Sequence, residues 1–212
     1  MAQTWTNAAL TTALQNWLEN TSTDYIDRIP EVIRLAEDRI FRDTNLRIYN
    51  FVASGTLTSG TNTITLPTDL VSFRSVTVTT SDFKENLIQK HESFLNEYWP
   101  KTTLTDKPLY YAFMNETQVK VAPTPDAASN YNIDYKAHPT SLTGATDGMW
   151  MSNHAADLLF YACMVESCLF LQKFGIVKDL DQWEEKYQRA LIGVRKEHEL
   201  FSHNQEYQRG DK

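Results

Sequence analysis

The stretch from Ala155 to Leu171 places the strongest constraint on how this chain can fold. Its 17 residues are almost all apolar, but Asp157 stands near its start and Glu166 near its middle. A membrane-spanning helix needs about 20 apolar residues, and it tolerates a central carboxylate poorly. The stretch therefore predicts a helix buried inside a protein core, which the rest of the chain must cover.

The two cysteines of the chain, Cys163 and Cys168, both lie in this predicted helix. Five residues correspond to about 500° of helical rotation, so the two thiols diverge and cannot form a disulfide within the helix. The first residues, Met1 to Trp5, lack the basic and apolar runs of a signal peptide. We therefore expect buried, reduced thiols in a protein made in a cytoplasm.

Two amphipathic helices are predicted before residue 45. In the first, Leu10, Leu14, Trp17 and Leu18 recur with the spacing of one apolar helix face. The second begins near Pro30, because proline suits the first turn of a helix. The two helices are expected to pack in antiparallel directions.

The second helix carries an apolar stripe and a charged face opposite it. The stripe is formed by Ile29, Ile33, Ala36 and Ile40, with Val32 and Leu35 widening it. The opposite face carries Glu31, Arg34, Glu37, Asp38, Arg39 and Arg42. Alternating charges of this kind are typical of a helix surface that faces solvent or another subunit.

The middle of the chain, residues 46–148, is rich in Thr and Val and predicts β structure. The alternating segments 56–58 and 63–66 flank a Ser-Gly-Thr-Asn turn and predict a hairpin. In a strand expected over 73–80, Val76 and Val78 share a face, and a short helix is expected at 91–99. Three later strands, at 109–114, 118–121 and 130–136, are expected to form a meander.

Helical periodicity returns near residue 149. A seam at alternating spacings of three and four runs along the last helix through Leu180, Trp183, Tyr187, Ala190 or Leu191, Val194, His198 and Phe201. We predict an α+β protein in which residues 1–45 and 149–201 form a four-helix bundle. Residues 46–148 form a mostly antiparallel β insertion, and residues 202–212 form a flexible C-terminal tail.

No catalytic or cofactor-binding motif stands out in the chain. His198 and His203 are five residues apart, so their rings diverge by about 140° and do not form a zinc pair. His154 and Asp157 are one helical turn apart and form either a local hydrogen bond or an acid–base pair. A net charge of −7 argues against a protein that grips nucleic acid by its backbone. We predict no cofactor, no metal and no catalytic residue.

Aromatic side chains concentrate in or beside the β segment, at Tyr98-Trp99, Tyr110-Tyr111 and Met149-Trp150-Met151. Core packing explains such clusters, but Tyr, Trp and Met are also enriched in protein interfaces. Both interpretations remain open at this point.

Two motifs in this order of elements resemble a known family. They are Ile-Pro-Glu-Val-Ile-Arg-Leu-Ala-Glu-Asp-Arg-Ile over 29–40 and Leu-Pro-Thr-Asp-Leu-Val-Ser-Phe-Arg-Ser-Val over 66–76. With the closing helices, they resemble the head-to-tail adaptor (connector) proteins of tailed bacteriophages, a group that includes podovirus tail tubular protein A.

The resemblance implies a non-enzymatic virion protein of the head–tail neck, made in the host cytoplasm, with no membrane contact. Such a protein forms a ring, usually of twelve copies, between the portal protein and the tail tube or nozzle protein. Genomic DNA passes through the ring without specific binding. The residues we expect at the subunit or portal interface are Glu31, Arg34, Glu37, Asp38, Arg39, Arg42, Tyr207 and Arg209.

Three other functions compete with this prediction. A different neck or tail protein, such as a head-completion stopper or a tail-tube terminator, would share the same interaction logic. A small cytosolic hydrolase would use His154 as its most plausible participant. A DNA-binding regulator is disfavoured by the charge.

Overall fold

The structure is a computed structural model that describes residues 4–80, 83–144, 150–172 and 180–207. It divides into two compact units, a helical unit (Met1–Ile48 with Pro139–Lys212) and a β unit (Tyr49–His138). The helices in chain order are α1 (Asn7–Trp17), α2 (Thr23–Ile26), α3 (Ile29–Asp43), α4 (Glu92–Tyr98), α5 (Trp150–His154), α6 (Ala156–Gln172) and α7 (Leu180–Tyr207). The strands are β1 (Asn50–Leu57), β2 (Thr63–Thr65), β3 (Leu70–Thr80), β4 (Phe83–Asn86), β5 (Ile88–Gln89), β6 (Thr105–Asp106), β7 (Tyr110–Asn115), β8 (Gln118–Ala122), β9 (Thr124–Pro125) and β10 (Ser129–Ala137). The predicted α+β class is confirmed.

Helix α6 is the centre of the helical unit. It packs against α1, α3, α5 and α7, which explains why it is apolar on almost every side. Both of its cysteine side chains are buried and unbridged, as predicted. Burial raises the pKa of the Cys163 thiol well above its ordinary value, so this thiol is held in its neutral form. The arrangement of all four long helices as one bundle stays a prediction.

Helix α3 buries the stripe that the sequence predicts. Ile29, Ile33, Ala36 and Ile40 are fully shielded from solvent, and Pro30 occupies the first turn. Leu35 is the exception, because 45% of it is exposed on the far side of the helix. The expectation that Leu35 widens the buried stripe is therefore wrong.

Helix α7 buries its predicted seam through Trp183, Tyr187, Leu191 and Val194. The helix continues to Tyr207, so the prediction that a flexible tail begins at residue 202 is wrong over 202–207. The rest of the predicted tail, 208–212, lies outside the described residues.

The β unit consists of two four-stranded sheets and one two-stranded sheet. The first sheet has the order β1-β10-β3-β4 and is antiparallel throughout. The second has the order β2-β8-β7-β5, with β5 parallel to β7 and its other pairs antiparallel. Residues from both sheets, including Leu57, Ile64, Val76, Val78 and Val119, form one apolar core.

The structure overturns the predicted hairpin between residues 56–58 and 63–66. Strand β1 pairs along its whole length with β10, and β2 pairs with β8 in the other sheet. Gly60, at φ 79°, does make the predicted turn, but its N–H donates to the distant Pro125 carbonyl at 2.9 Å. The turn therefore carries the chain from one sheet to the other, because that path places Leu57 and Ile64 in the shared core.

The predicted three-strand meander is confirmed only in part. Strands β7 and β8 form a hairpin, and the predicted short helix is present as α4. Strand β10 does not follow them in the same sheet, because it pairs with β1 and β3. Strand β10 pairs with β1 over eight residue pairs. In a meander, β10 would have paired with β8 instead, and β1 would have lost these cross-strand contacts.

Candidate subunit interface on the helical unit

The outer face of α3 is the first candidate interface. Glu31, Arg34, Asp38 and Arg42 are all exposed, and Leu35 lies among them. Their spacing of three and four residues aligns them along the side of α3 opposite its buried stripe. We call these five residues the α3 outer stripe. It offers both charge signs and one exposed apolar side chain to a partner.

Glu37 does not belong to this face, although the charge pattern placed it there. The residue is only 7% exposed, and its carboxylate Oε1 accepts a hydrogen bond from the Leu142 N–H at 2.8 Å. Burial raises the pKa of the Glu37 carboxyl, while hydrogen bonds from Ser141 and Leu142 oppose that rise. Glu37 therefore joins α3 to the segment that follows the β unit, and the expectation of a solvated or intersubunit carboxylate is corrected.

Arg39 is likewise turned towards its own chain. Its Nη2 donates to both carboxylate oxygens of Glu184 at 2.6 and 2.7 Å, and its Nη1 lies 3.4 Å from Glu166 Oε1. Its guanidinium carbon lies 4.5 Å from the centre of the Tyr187 ring. The Tyr187 hydroxyl donates to Asp43 at 2.6 Å. Arg39 therefore links α3 to α6 and α7.

Tyr207 and Arg209 are the two interface residues predicted near the C-terminus. Tyr207 is the last residue of α7. Arg209 lies outside the described residues. Their role at an interface stays a prediction.

A groove on the helical unit is the second candidate interface, and it consists of two adjoining depressions of about 410 and 430 Å³. The two depressions share His154, Asp157, Tyr161 and Lys186, which makes them continuous. We call the whole feature the α6–α7 groove. The residues lining it are Trp5, Trp17, Asn153, His154, Ala156, Asp157, Phe160, Tyr161, Trp183, Lys186, Arg189, Ala190, Gly193, Val194 and Glu197.

One end of the α6–α7 groove is aromatic. Trp5 stacks on Phe160 at 5.6 Å between ring centroids, and its Nε1–H donates to the Ala156 carbonyl at 2.8 Å. Trp17 meets Phe160 and Trp183 edge-on, yet 62% of it is exposed. The sequence assigned Trp17 to a buried face, so this exposure corrects that assignment. An exposed tryptophan on a rigid aromatic base is typical of an interaction surface.

The candidate acid–base pair of the hydrolase hypothesis has local structural roles at this groove. The His154 ring stacks on Trp150 at 5.4 Å between centroids. The Asp157 Oδ1 accepts a hydrogen bond from the Leu158 N–H at 2.8 Å, in the first turn of α6. These contacts position both side chains through packing and backbone hydrogen bonding.

The sequence reasoning missed the groove itself. The sequence patterns do not mark Lys186, Gly193 and Glu197, because these residues lie on the polar flank of α7, beside the apolar seam. The available signal was their spacing of seven and four residues, which places them near one face of the helix. Only the packing of α7 against α6 turns that flank into one wall of a groove.

An aromatic cluster in the β unit is the third exposed surface. Phe94 meets Tyr98, Trp99 and Tyr110 at centroid distances of 4.5 to 6.2 Å. Tyr98 is 60% exposed. Tyr111, the residue that follows Tyr110, is buried. Core packing thus explains the buried Tyr111, whereas an interface role for the exposed aromatic residues stays a prediction.

Neither a metal-binding cluster nor a membrane-spanning helix occurs in the ranges that the structure describes. In those ranges, no three His, Cys, Asp or Glu side chains are grouped so that they could hold a metal ion. None of the helices described there is long and apolar enough to cross a membrane.

The α3 outer stripe, the α6–α7 groove and the aromatic cluster are surfaces of the kind through which structural proteins contact other proteins. A family model described as SU10 adaptor protein matches residues 6–209. Since the match covers nearly the whole chain, the protein belongs to the SU10 adaptor protein family. This membership confirms the predicted resemblance to phage adaptors and assigns the chain to the structural proteins of the virion. A search of the curated proteins finds no match.

Proposed function

We propose that the protein is a head-to-tail adaptor that forms a ring between the portal and the tail and surrounds the DNA exit channel. The match to the SU10 adaptor protein family over residues 6–209 is the observation that carries this proposal. The α3 outer stripe supports it, because each copy offers both charge signs to a neighbour. Head-to-tail packing of identical subunits forms a ring when the rotation from each subunit to the next adds up to a full turn, and an open filament when it does not.

Each part of the chain has a role in this proposal. The helical unit packs side by side in a ring of twelve copies, with α1, α3, α6 and α7 as its four-helix bundle. Contact of α6 with each of the other three supports that bundle. The exposed aromatic cluster around Tyr98 suits contact with a tail component. The C-terminal segment, with Tyr207 and Arg209, reaches the portal.

The charge of the chain suits a channel through which DNA slides. Twelve copies at −7 each carry a formal charge of about −84, and salt screens this field beyond about 10 Å. A wall of this sign repels the DNA backbone, so the genome passes without specific binding. Incubation of the assembled ring with duplex DNA at physiological salt should give no retained complex, and tight retention would count against a sliding channel.

Light-scattering mass of the purified protein, alone and mixed with the portal protein of the same genome, tests the proposal. We expect the mixture to contain a ring-sized assembly of both proteins. Removal of residues 202–212 should abolish that co-assembly while leaving the helical content of the remaining chain. A protein that stays monomeric and ignores the portal would overturn the adaptor position, in favour of a stopper, a tube terminator or an enzyme.

A further inference from the structure

We propose that the α6–α7 groove of one copy receives the α3 outer stripe of the next copy. The inference rests on the proposed ring and names the two surfaces that build it. The occupant of the groove is therefore a second copy of this chain. The contact is head-to-tail, because it joins two different surfaces of neighbouring copies.

The two surfaces lie on different sides of the helical unit, as a head-to-tail contact requires. Helix α7 turns Glu184 and Tyr187 towards α3 of its own copy, where they meet Arg39 and Asp43. Gly193 lies about 240° around the helix from Tyr187, since each residue adds about 100°. The groove therefore opens on the flank of α7 away from α3, and the α3 outer stripe faces away from the core. One copy can use both surfaces at once, which a ring demands.

Charge and spacing match between the two surfaces. Glu31 and Arg42 lie eleven residues apart on α3, and Lys186 and Glu197 lie eleven residues apart on α7. Eleven residues span about three helical turns and about 16.5 Å, so each pair stays on one face. When the helices run in the same direction, Glu31 meets Lys186 while Arg42 meets Glu197. Both contacts then join opposite charges. Arg34 falls level with Arg189, whose guanidinium is already paired with Glu185 of its own copy.

The charge match requires α3 of one copy to run in the same direction as α7 of the next. Within each copy, α3 and α7 already run in the same direction. Arg39 contacts Glu184, and Asp43, one turn further along α3, contacts Tyr187, further along α7. Helices α3 and α7 therefore run in the same direction. A rotation axis directed roughly along these helices preserves that direction between copies, so the next copy presents its α3 parallel to this α7.

The α7 wall of the groove is shaped for close approach of a helix. Glycine is among the least favourable residues inside a helix, yet Gly193 stands in the middle of α7. A Cβ atom built at Gly193 meets nothing within 4 Å, so packing within this copy does not require the glycine. In the proposed register Leu35, four residues after Glu31, lies level with Ala190, four residues after Lys186. The exposed leucine thus finds a small residue beneath it.

Charge reversal in the complex with the portal tests the contact. We expect K186E and E31K each to reduce the yield of ring-sized assembly by about tenfold, by placing like charges together. The double variant E31K/K186E restores opposite charges and should recover the wild-type yield. K196E, a matched control on an exposed position of α7 outside the groove, should assemble as the wild type does.

Filling the groove provides an independent variant. A Cβ atom at Gly193 meets nothing within 4 Å, and leucine has a higher helix propensity than glycine, so the unfolding temperature of G193L should not fall below that of the wild type. Its ring yield should nevertheless drop at least tenfold. A second measurement uses L35C/A190C, which should form disulfide-linked oligomers in the portal complex, while L35C/K196C should not.

The outcomes separate the two proposals. If the wild type forms no ring with the portal, the proposed function fails and this inference fails with it. If the wild type forms the ring but K186E and G193L assemble equally well, the ring stands and the groove contact is refuted. Loss in the single variants without recovery in E31K/K186E refutes the proposed register.

Discussion

Glu37 and Arg39 lie two residues apart on α3, but their charged groups make different kinds of contact. Glu37 lies beneath the surface and accepts a backbone hydrogen bond, whereas Arg39 spans to two carboxylates on other helices. Glu31 and Arg42 stay exposed on the same helix. Position around the helix places Glu37 and Arg39 at the borders of the buried stripe. It does not name their partners, because the segment covering Glu37 and the helix pairing with Arg39 arrive from far along the chain.

The raised pKa of Glu37 predicts a pH dependence of stability. Its folded-state pKa lies above the ordinary value of 4.5, so the folded protein binds this proton more readily than the unfolded chain. Wild type should therefore gain stability relative to E37Q as pH falls from 7 towards 4.5, by about 1.4 kcal/mol per unit of pKa difference. Urea unfolding at pH 7 and pH 5 measures this. E31Q, which changes an exposed carboxylate on the same helix, is the control, and equal pH slopes for wild type and E37Q would contradict the prediction.

At the scale of elements, Arg39 holds three helices together. Replacing it with alanine leaves Glu166 and Glu184 without their shared cation, in a partly buried position. We expect R39A to lower the free energy of unfolding by about 2 kcal/mol. R28A breaks the exposed ion pair with Glu31 and should change it by less than about 0.5 kcal/mol. Chemical denaturation of both variants decides the matter, and similar losses in the two would show that Arg39 has no special role.

The pairing of β1 with β10 depends on one close approach. Gly55 lies opposite Tyr131, and a Cβ atom at Gly55 would lie 2.6 Å from the Tyr131 Cζ. G55A should therefore destabilise the protein by about 1 to 3 kcal/mol, because the tyrosine ring must move. Most of this loss should disappear when the change is made in a Y131A background, which a double-mutant cycle measures. S54A, on the same strand, provides the baseline. Additive losses in the double variant would exclude the steric cause.

At the scale of the whole molecule, the chain leaves and re-enters the helical unit at adjacent strands. Asn50 in β1 pairs with Lys136 in β10, so the two ends of the β unit lie about 5 Å apart. The unit also has its own apolar core, built from both of its four-stranded sheets. We therefore expect its stability to depend on contacts within residues 49–138.

Excision of the β unit tests this independence. A fragment of residues 49–138 should fold alone and unfold cooperatively in denaturant, because it retains its core and its sheet pairings. The helical unit with these residues replaced by a short Gly-Ser linker should keep its helical circular dichroism. A fragment that shows no cooperative transition would mean that the β unit requires the rest of the chain.

Much of this fold is readable from local patterns. The α3 stripe, the α7 seam, the buried α6 and the inward Val76 and Val78 follow from the periods of 3.6 and 2 residues. Strand partners were less predictable, because the turn at Gly60 is compatible with a hairpin and with a crossing between sheets. Of the candidate interface, the exposed charges of α3 were found, but the α6–α7 groove was not, since two separate helices form its walls.

The sequence by itself determined which faces of the helices are apolar, and that the chain joins helical ends to a β insertion. It also carried the motifs that identify the adaptor family. Only the tertiary structure decided that β1 pairs with β10, that Glu37 is covered and that Arg39 is shared between helices. The physical reason is distance along the chain. Glu37 and Leu142 are 105 residues apart, and Arg39 and Glu184 are 145 apart, so these partners meet only after the chain has packed.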